Sequence, residues 1–331
     1  SNARLFIEKY KGITQPQEFD FSVVGFGSSD YPDFCKFAED VRTVLSAKGN
    51  SNERLPMARI NKQSKAQKEE WLKDFLNSFD IRLGADEITQ AVQTSEFEVI
   101  AITEPTEVTN QHFRLELKAP TNHFQSGDLL AILPDGKDEE RFYSIGKLNP
   151  SSISLSIRKH DQGLCSGYLS RLKPGDIIDA RIQSNPDFHF QKQAPYSYFI
   201  ANGTGIAPLL GMLAENDLES ETFLLWGMKN RAISDLYLKE LETYHDSDKL
   251  SISSFVFSQE KGYPKSYVQD AIKAGGATIS QILKSGGVIY ICGSTAMHDA
   301  VLAEIAKIIA EHSQSTIKKY LDRGQILTDC Y

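Results

Sequence analysis

Residues Tyr198–Leu210 read Tyr-Phe-Ile-Ala-Asn-Gly-Thr-Gly-Ile-Ala-Pro-Leu-Leu. An apolar run of strand character enters Gly203-Thr204-Gly205, and Pro208 opens an apolar helical run. Glycines at such a turn let the backbone approach a ligand with no Cβ in the way. The first N–H groups of the helix have no intrahelical partner and suit a phosphate. Pro208 fits a first helical turn, where its missing donor costs nothing. An ordinary strand-to-helix turn competes with this reading, because Pro208 stands where the usual dinucleotide fingerprint has a third small residue.

The chain is long enough, at 331 residues, for two or three domains. A net charge of −8 argues against nucleic acid as a partner, although a local basic patch could still hold a phosphorylated cofactor. No apolar run reaches spanning length, so no membrane segment is expected. The four cysteines, Cys35, Cys165, Cys292 and Cys330, form neither a C-x-x-C pair nor a metal cluster with the histidines. A reducing, cytoplasmic setting follows. Ser1-Asn2-Ala3 looks like an expression scar and is set aside.

Residues 4–80 alternate between helix and strand character. Arg4–Tyr10 reads as the tail of a helix, Phe21–Phe26 as a buried strand and Leu55–Ile60 as a second strand. Gln67–Phe79 reads as a helix with Trp71, Phe75 and Phe79 on one face. The first strand ends in Gly25-Phe26-Gly27-Ser28-Ser29-Asp30-Tyr31, and Phe34-Cys35-Lys36-Phe37 begins a helix. This stretch resembles the second half of a flavodoxin-like domain of the diflavin reductases. There a tyrosine at the place of Tyr31 stacks on FMN. The family's phosphate loop has no counterpart before Phe21, so FMN is expected only in a longer, full-length protein. Residues 81–96 turn polar and acidic and read as a linker.

Residues 97–192 become short strands separated by Pro, Gly, Asn and Asp: Phe97–Thr103, His112–Lys118, Asp128–Leu133, Arg141–Lys147, Ile153–Lys159 and Asp176–Ile182. The alternation of Phe113, Leu115 and Leu117, and of Ile153, Leu155 and Ile157, predicts a small antiparallel barrel. In Arg141-Phe142-Tyr143-Ser144, Arg141 and Tyr143 share a strand face, and a guanidinium beside a phenol ring makes a reasonable flavin cradle. Gly163-Leu164-Cys165-Ser166 precedes a helix, Gly167–Leu172, and can bind a phosphate; plain N-capping by Ser166 is the alternative.

Residues 193–331 read as βα repeats, hence a doubly wound parallel sheet whose ligands bind beyond the strand carboxyl ends. Strands are expected at Tyr198–Ala201, Thr222–Trp226, Leu250–Phe257 and Val288–Cys292. Helices are expected at Pro208–Ala214, Asp235–Tyr244, Val268–Ala274, Ile279–Lys284 and Ala296–Glu311.

The order R-x-Y-S, G-x-x-S, G-T-G-I-A-P, on a barrel followed by α/β repeats, resembles the ferredoxin-NADP reductase family. Its diflavin branch, which the chain resembles, includes the sulfite reductase flavoproteins and the reductase modules of nitric oxide synthases. The resemblance implies that Arg141 meets the FAD pyrophosphate, Tyr143 packs on the isoalloxazine and Ser144 lies near its reactive nitrogen. Gly163, Cys165 and Ser166 inherit a second FAD phosphate loop. Only Pro134–Glu140 separates Leu133 from Arg141, so the large connecting domain usual in diflavin enzymes is missing here.

For NADPH the resemblance assigns Gly203, Thr204 and Gly205, then Gly227 and Lys229, then Ser258, Lys265, Tyr267 and Gln269, and finally Cys292 and Gly293. Gln259 replaces an arginine common in the family, and Lys229 stands where another is common. Lysine charge favours NADPH over NADH, and Ser258 is not the acidic residue an NADH site would carry. The chain ends Leu327-Thr328-Asp329-Cys330-Tyr331, and the family ends in an aromatic that covers the flavin, with an acid two places earlier. Ser144, Cys292, Asp329 and Tyr331 are therefore the expected catalytic group. The resemblance implies an NADPH-dependent flavoprotein reductase whose electrons leave to an FMN domain or a downstream acceptor protein. A non-catalytic FAD-binding sensor or assembly module is the alternative.

Overall fold

The computed structural model describes residues 2–13, 18–47, 49, 51–62, 64–81, 94–104, 111–134, 139–217, 220–313 and 315–331. The chain divides into two compact units: Ser1–Thr94 with Leu133–Arg141, and Ser95–Ile132 with Phe142–Tyr331.

In the first unit, helix α1 (Asn2–Lys11) precedes strand β1 (Phe19–Gly27), helix α2 (Lys36–Ser46), strand β2 (Ser51–Asn61) and helix α3 (Lys65–Ser78). β1 and β2 pair in parallel, so β2 starts four residues before the predicted Leu55. Phe21, Val23, Ala38 and Leu45 make a small core with Tyr10. The rings of Trp71, Phe75 and Phe79 follow one another at 5.1 and 4.6 Å, the first pair stacked and the second tilted, on the one face expected of them. Of the predicted linker, residues 82–93 lie outside the described residues, and Ser95 already belongs to a strand.

The second unit has two lobes with separate cores. Its barrel-like sheet contains β3 (Ser95–Thr103), β4 (His112–Lys118), β5 (Leu129–Ile132), β6 (Arg141–Ser144), β7 (Gly146–Asn149), β8 (Ser152–Arg158) and β9 (Ile177–Gln183), in the order β6-β5-β9-β3-β4-β8-β7. The predicted strand Arg141–Lys147 is thus two strands, β6 and β7, turning at buried Ile145. Phe113, Leu115, Leu117, Ile153, Leu155 and Ile157 all face the core, as their alternation predicts.

The other lobe carries a parallel sheet of five strands: β10 (Tyr196–Asn202), β11 (Glu221–Met228), β12 (Ile252–Phe257), β13 (Val288–Gly293) and β14 (Ile326–Cys330), in the order β12-β11-β10-β13-β14. β14 was not expected from the sequence. The short helix α4 (Leu164–Leu169) lies in the barrel segment; α5 (Ile206–Glu215), α6 (Leu238–Asp246), α7 (Val268–Ala274), α8 (Gly276–Lys284), α9 (Thr295–His312) and α10 (Ile317–Asp322) accompany the parallel sheet. α5 begins two residues before Pro208, and Ile206–Leu213 are all buried.

Two contacts tie the lobes. α5 lies on β7 through paired glycines: a Cβ on Gly146 would sit 2.1 Å from the Ala207 carbonyl, and one on Gly211 would sit 2.8 Å from Gly146 Cα. Ser126, fully buried beside them, donates to Glu215 at 2.7 Å. Farther along, the buried Arg114 of β4 ion-pairs with Glu240 of α6, and its guanidinium lies 5.3 Å from the centre of the Tyr237 ring.

Candidate active site

From β10 the chain builds outward to β11 and β12, then returns across to β13 and β14. The crossover falls between the carboxyl ends of β10 and β13, the place where open α/β sheets bind ligands. Asn202 stitches it: its Oδ1 accepts from the Ser294 N–H at 2.8 Å and its Nδ2 donates to Ser294 Oγ at 3.0 Å. Ser294 in turn caps α9, accepting from the Met297 N–H at 3.3 Å.

The glycines here divide by role. Gly203 has φ of 52° and lines the cavity described below. Gly205 is buried, and a Cβ on it would meet the Cys292 carbonyl at 2.1 Å. Gly293 has φ of 145°, and its Cβ would meet Asn202 Oδ1 at 2.0 Å. The expectation that Gly205 makes room for a ligand is therefore corrected: it makes room for β13. Gly227 likewise admits Val268 at the start of α7, 2.5 Å from an added Cβ.

A cavity of about 520 Å³ opens at this crossover. Of the residues assigned to NADPH from the sequence, Gly203, Thr204, Gly227, Lys229, Ser258, Tyr267 and Gln269 line it, and so does Tyr331. Lys265 is not on the wall; its ammonium lies 5.1 Å from the Tyr267 ring centre. Three basic lining residues were missed: His112, Arg158 and His160. His112 and Arg158 are cross-strand partners on β4 and β8, a register invisible in the linear sequence. His112 is 7% exposed, and among the described residues no hydrogen-bond partner meets its Nδ1. Burial first, then the charges of Arg158, Lys229 and His160, push its imidazole down to about 4. A cationic, partly apolar cleft with an unsatisfied ring nitrogen fits a dinucleotide's phosphates.

Beside the cleft lies the predicted catalytic group. Ser144 Oγ donates to Asp329 Oδ2 at 2.6 Å. Burial raises the Asp329 carboxyl above its ordinary range, with the Ser144 bond opposing. Cys292 is fully buried opposite Asp329 in the β13–β14 register. Burial, then the Asp329 charge, pushes its thiol well up, so it is a neutral thiol near neutral pH. Tyr331 hydrogen-bonds Thr204 Oγ1 through its hydroxyl at 2.8 Å, and its N–H donates to the Gly293 carbonyl at 2.9 Å. It nevertheless leaves 59% of its surface exposed.

The loop at Gly163 departs from expectation. Gly163, not Ser166, is the N-cap of α4, and Ser166 lies within the helix. The Ser166 hydroxyl accepts from the His160 N–H at 3.1 Å and donates to the Gly163 carbonyl at 3.4 Å. Cys165 belongs to the barrel core. Tyr143 packs against that core, half-buried. In the first unit, Arg141 Nη2 donates to Glu139 at 2.6 Å and Nη1 to the Glu140 carbonyl at 3.1 Å. Tyr31, in the loop after β1, is 71% exposed.

Residues 199–303 match the oxidoreductase NAD-binding domain family. A nitric oxide synthase-like protein of Bombyx mori is 30% identical over 203 residues, covering 54% of this chain and 18% of that protein. An NADPH–cytochrome P450 reductase of Dictyostelium discoideum is 28% identical over 223 residues, covering 58% of this chain and 32% of its own length. The chain thus spans less than a third of these relatives. A mutant ferredoxin-NADP+ reductase of Plasmodium falciparum, in complex with 2'P-AMP, superposes with a TM-score of 0.59 at 23% identity, over 72% of this chain and 96% of that one. The superposition accounts for the barrel followed by a parallel sheet. Over 54–58% of its length the chain is similar to nitric oxide synthase-like and NADPH–cytochrome P450 reductase proteins, residues 199–303 match the oxidoreductase NAD-binding domain, and the fold is shared with a ferredoxin-NADP+ reductase.

Proposed function

We propose that the chain is a FAD-dependent NADPH oxidoreductase, moving hydride from NADPH to FAD and single electrons onward to FMN or a protein acceptor. The observation that carries the reading is the basic cleft at the sheet crossover, lined by Gly203, Thr204 and Tyr331; Asp329, two residues before Tyr331, is hydrogen-bonded to Ser144. The bound cofactors supply the redox chemistry itself.

The protein's part is position and electrostatics. Gly203, Thr204 and the start of α5 cradle the NADPH pyrophosphate, and Ser258, Lys265, Tyr267 and Gln269 take the 2′-phosphate end. Gly227, Lys229 and the backbone at Cys292-Gly293 frame the remainder. Arg141, Tyr143, Ser144 and the Gly163–Ser166 turn, with the backbone of Cys165, hold FAD. Ser144, Cys292 and Asp329 polarise the reacting pair, and Tyr331 occupies the nicotinamide position until the cofactor displaces it.

The Plasmodium reductase's complex with 2'P-AMP supports the choice of NADPH. Residues 4–80 are read as part of a flavodoxin-like domain in which Tyr31 stacks on FMN, and a cytoplasmic setting accompanies it. A sulfite-reductase-type acceptor is one member of the acceptor class. Among the described residues no helix is long and apolar enough to cross a membrane.

The test is spectroscopic. Full-length chain reconstituted with FAD is titrated anaerobically with NADPH and, separately, NADH. Bleaching of the yellow flavin by NADPH is expected. A yellow protein indifferent to both would make it a sensor instead.

A further inference from the structure

We propose that His112 is a phosphate ligand of the nucleotide cleft that takes up a proton as NADPH binds, so that nucleotide affinity falls as pH rises. The inference rests on the reading of this cleft as the NADPH site. Every residue it uses lies in the second unit.

The wall of the cavity is one-signed. Among the described residues that line it are His112, Arg158, His160 and Lys229, and no aspartate or glutamate. The cations come from separate elements: Arg158 ends β8 opposite His112, His160 follows in the next turn, and Lys229 follows β11. The phenols of Tyr267 and Tyr331 complete the titratable groups on the wall. Carboxylates on neighbouring elements are engaged elsewhere, Glu116 and Glu240 with Arg114 and Asp161 with Gln111. The segment Arg231–Leu236 packs against β4 and carries Arg231 and Asp235, neither of which is among the charges acting on the imidazole.

His112 is the buried member of the basic group, since Arg158, His160 and Lys229 are exposed. Its Nε2 faces the Gly203 turn, 3.9 Å from where a Cβ on Gly203 would lie. Its Nδ1 meets no partner among the described residues. A buried polar ring left unmet is costly, so the site is completed by something polar entering beside it.

Burial, then the charges of Arg158, Lys229 and His160, hold the proton off the ring. A pyrophosphate brings negative charge into the same space. It offsets the cations and accepts from a ring N–H, so the imidazolium becomes the favoured form. The proton comes from solvent and adds to the bare ring nitrogen, which makes both nitrogens donors. The imidazole is raised in the complex, so the added affinity is full below the complex's value and is lost as pH rises through it. Binding that restores the ordinary 6.5 from about 4 makes affinity roughly tenfold greater two pH units lower, across that value.

The experiment is isothermal titration calorimetry of the full chain with NADP+ at pH about 5.5, 6.5 and 7.5, in buffers of different ionisation enthalpy, so that Kd and proton uptake are both read. Adenosine 2′-phosphate, which lacks the pyrophosphate, is titrated alongside to cancel the titration of the 2′-phosphate itself. From the highest pH to the lowest, NADP+ should gain roughly tenfold in affinity relative to adenosine 2′-phosphate, with most of one extra proton taken up at the lowest. His112→Gln, which keeps a donor but cannot carry the charge, should lose both the gain and the extra proton while circular dichroism shows it folded. A parent whose relative affinity ignores pH and which takes up no extra proton overturns the inference, whether or not the variant folds. A folded His112→Gln that keeps the extra proton overturns it too. Both results leave the NADPH reading intact, whereas a parent that binds neither nucleotide overturns both.

Discussion

Ser144 and Asp329 are 185 positions apart and share a hydrogen bond of 2.6 Å, Oγ donating to Oδ2. The first lies on the barrel and the second on the last strand of the parallel sheet. The bond therefore joins the lobes at the point where the two cofactors are proposed to meet, and it determines how Asp329 titrates.

The Asp329 carboxyl is raised in the folded protein by burial. Its ionised form is disfavoured relative to the unfolded chain, so stability is fullest below the unfolded value of 3.8 and falls as pH rises through the folded one. Asp329→Asn should therefore raise the melting temperature at pH near 7, and the gain should vanish towards pH near 4. Hydride transfer should slow at least about tenfold. Melts at both pH values, with stopped-flow flavin reduction, check this pair of effects.

Under the proposed function, Tyr331 leaves its bond to Thr204 so that a nicotinamide can stack in its place. A site occupied by its own side chain lowers apparent affinity by the fraction of time it is open. Tyr331→Ala should raise the NADH-to-NADPH ratio of kcat/KM, roughly tenfold or more. An unchanged ratio would remove Tyr331 from the gate.

Lys265 lies off the cavity wall, against the Tyr267 ring. Its expected role is to close on the 2′-phosphate. Lys265→Ala should raise KM for NADPH roughly tenfold, the worth of one charge-assisted bond, and leave KM for NADH nearly unchanged. Equal effects on both cofactors would mean that Lys265 serves the fold and not the phosphate.

His112 is neutral in the folded state, its imidazole depressed from 6.5 to about 4. In that window the unfolded chain binds the proton and the folded chain does not. The stability present above the unfolded value is lost as pH falls through the window, by up to about 3 kcal/mol. His112→Asn should flatten denaturant-derived stability between those limits. A parent and a variant with parallel pH profiles would refute the assignment.

Much of this was legible in the sequence, for identifiable reasons. Apolar alternation placed the barrel strands because one face of each is buried, and βα punctuation placed β10, β11, β12 and β13. Seven of the residues expected at the NADPH site line the cavity, together with Tyr331. What escaped depended on pairing. β14 has only Ile326 fully buried and ends in polar residues, so it reads as a tail until it is laid beside β13. His112 and Arg158 become neighbours only through the β4–β8 register. Gly205 answers to a carbonyl of another strand, and Ser166 to a turn upstream of its helix. None of those partners lies within a local window.

The glycine contact between α5 and β7 limits how this molecule can work. Backbone rests on backbone where Gly146 meets Ala207 and Gly211, and the one side chain wedged there, Ser126, is short, buried and hydrogen-bonded. A wide yawn of the cleft would have to pull main chain from main chain. Turnover should instead run inside a stiff jaw, with a single phenol swinging out and back as each nicotinamide arrives and departs.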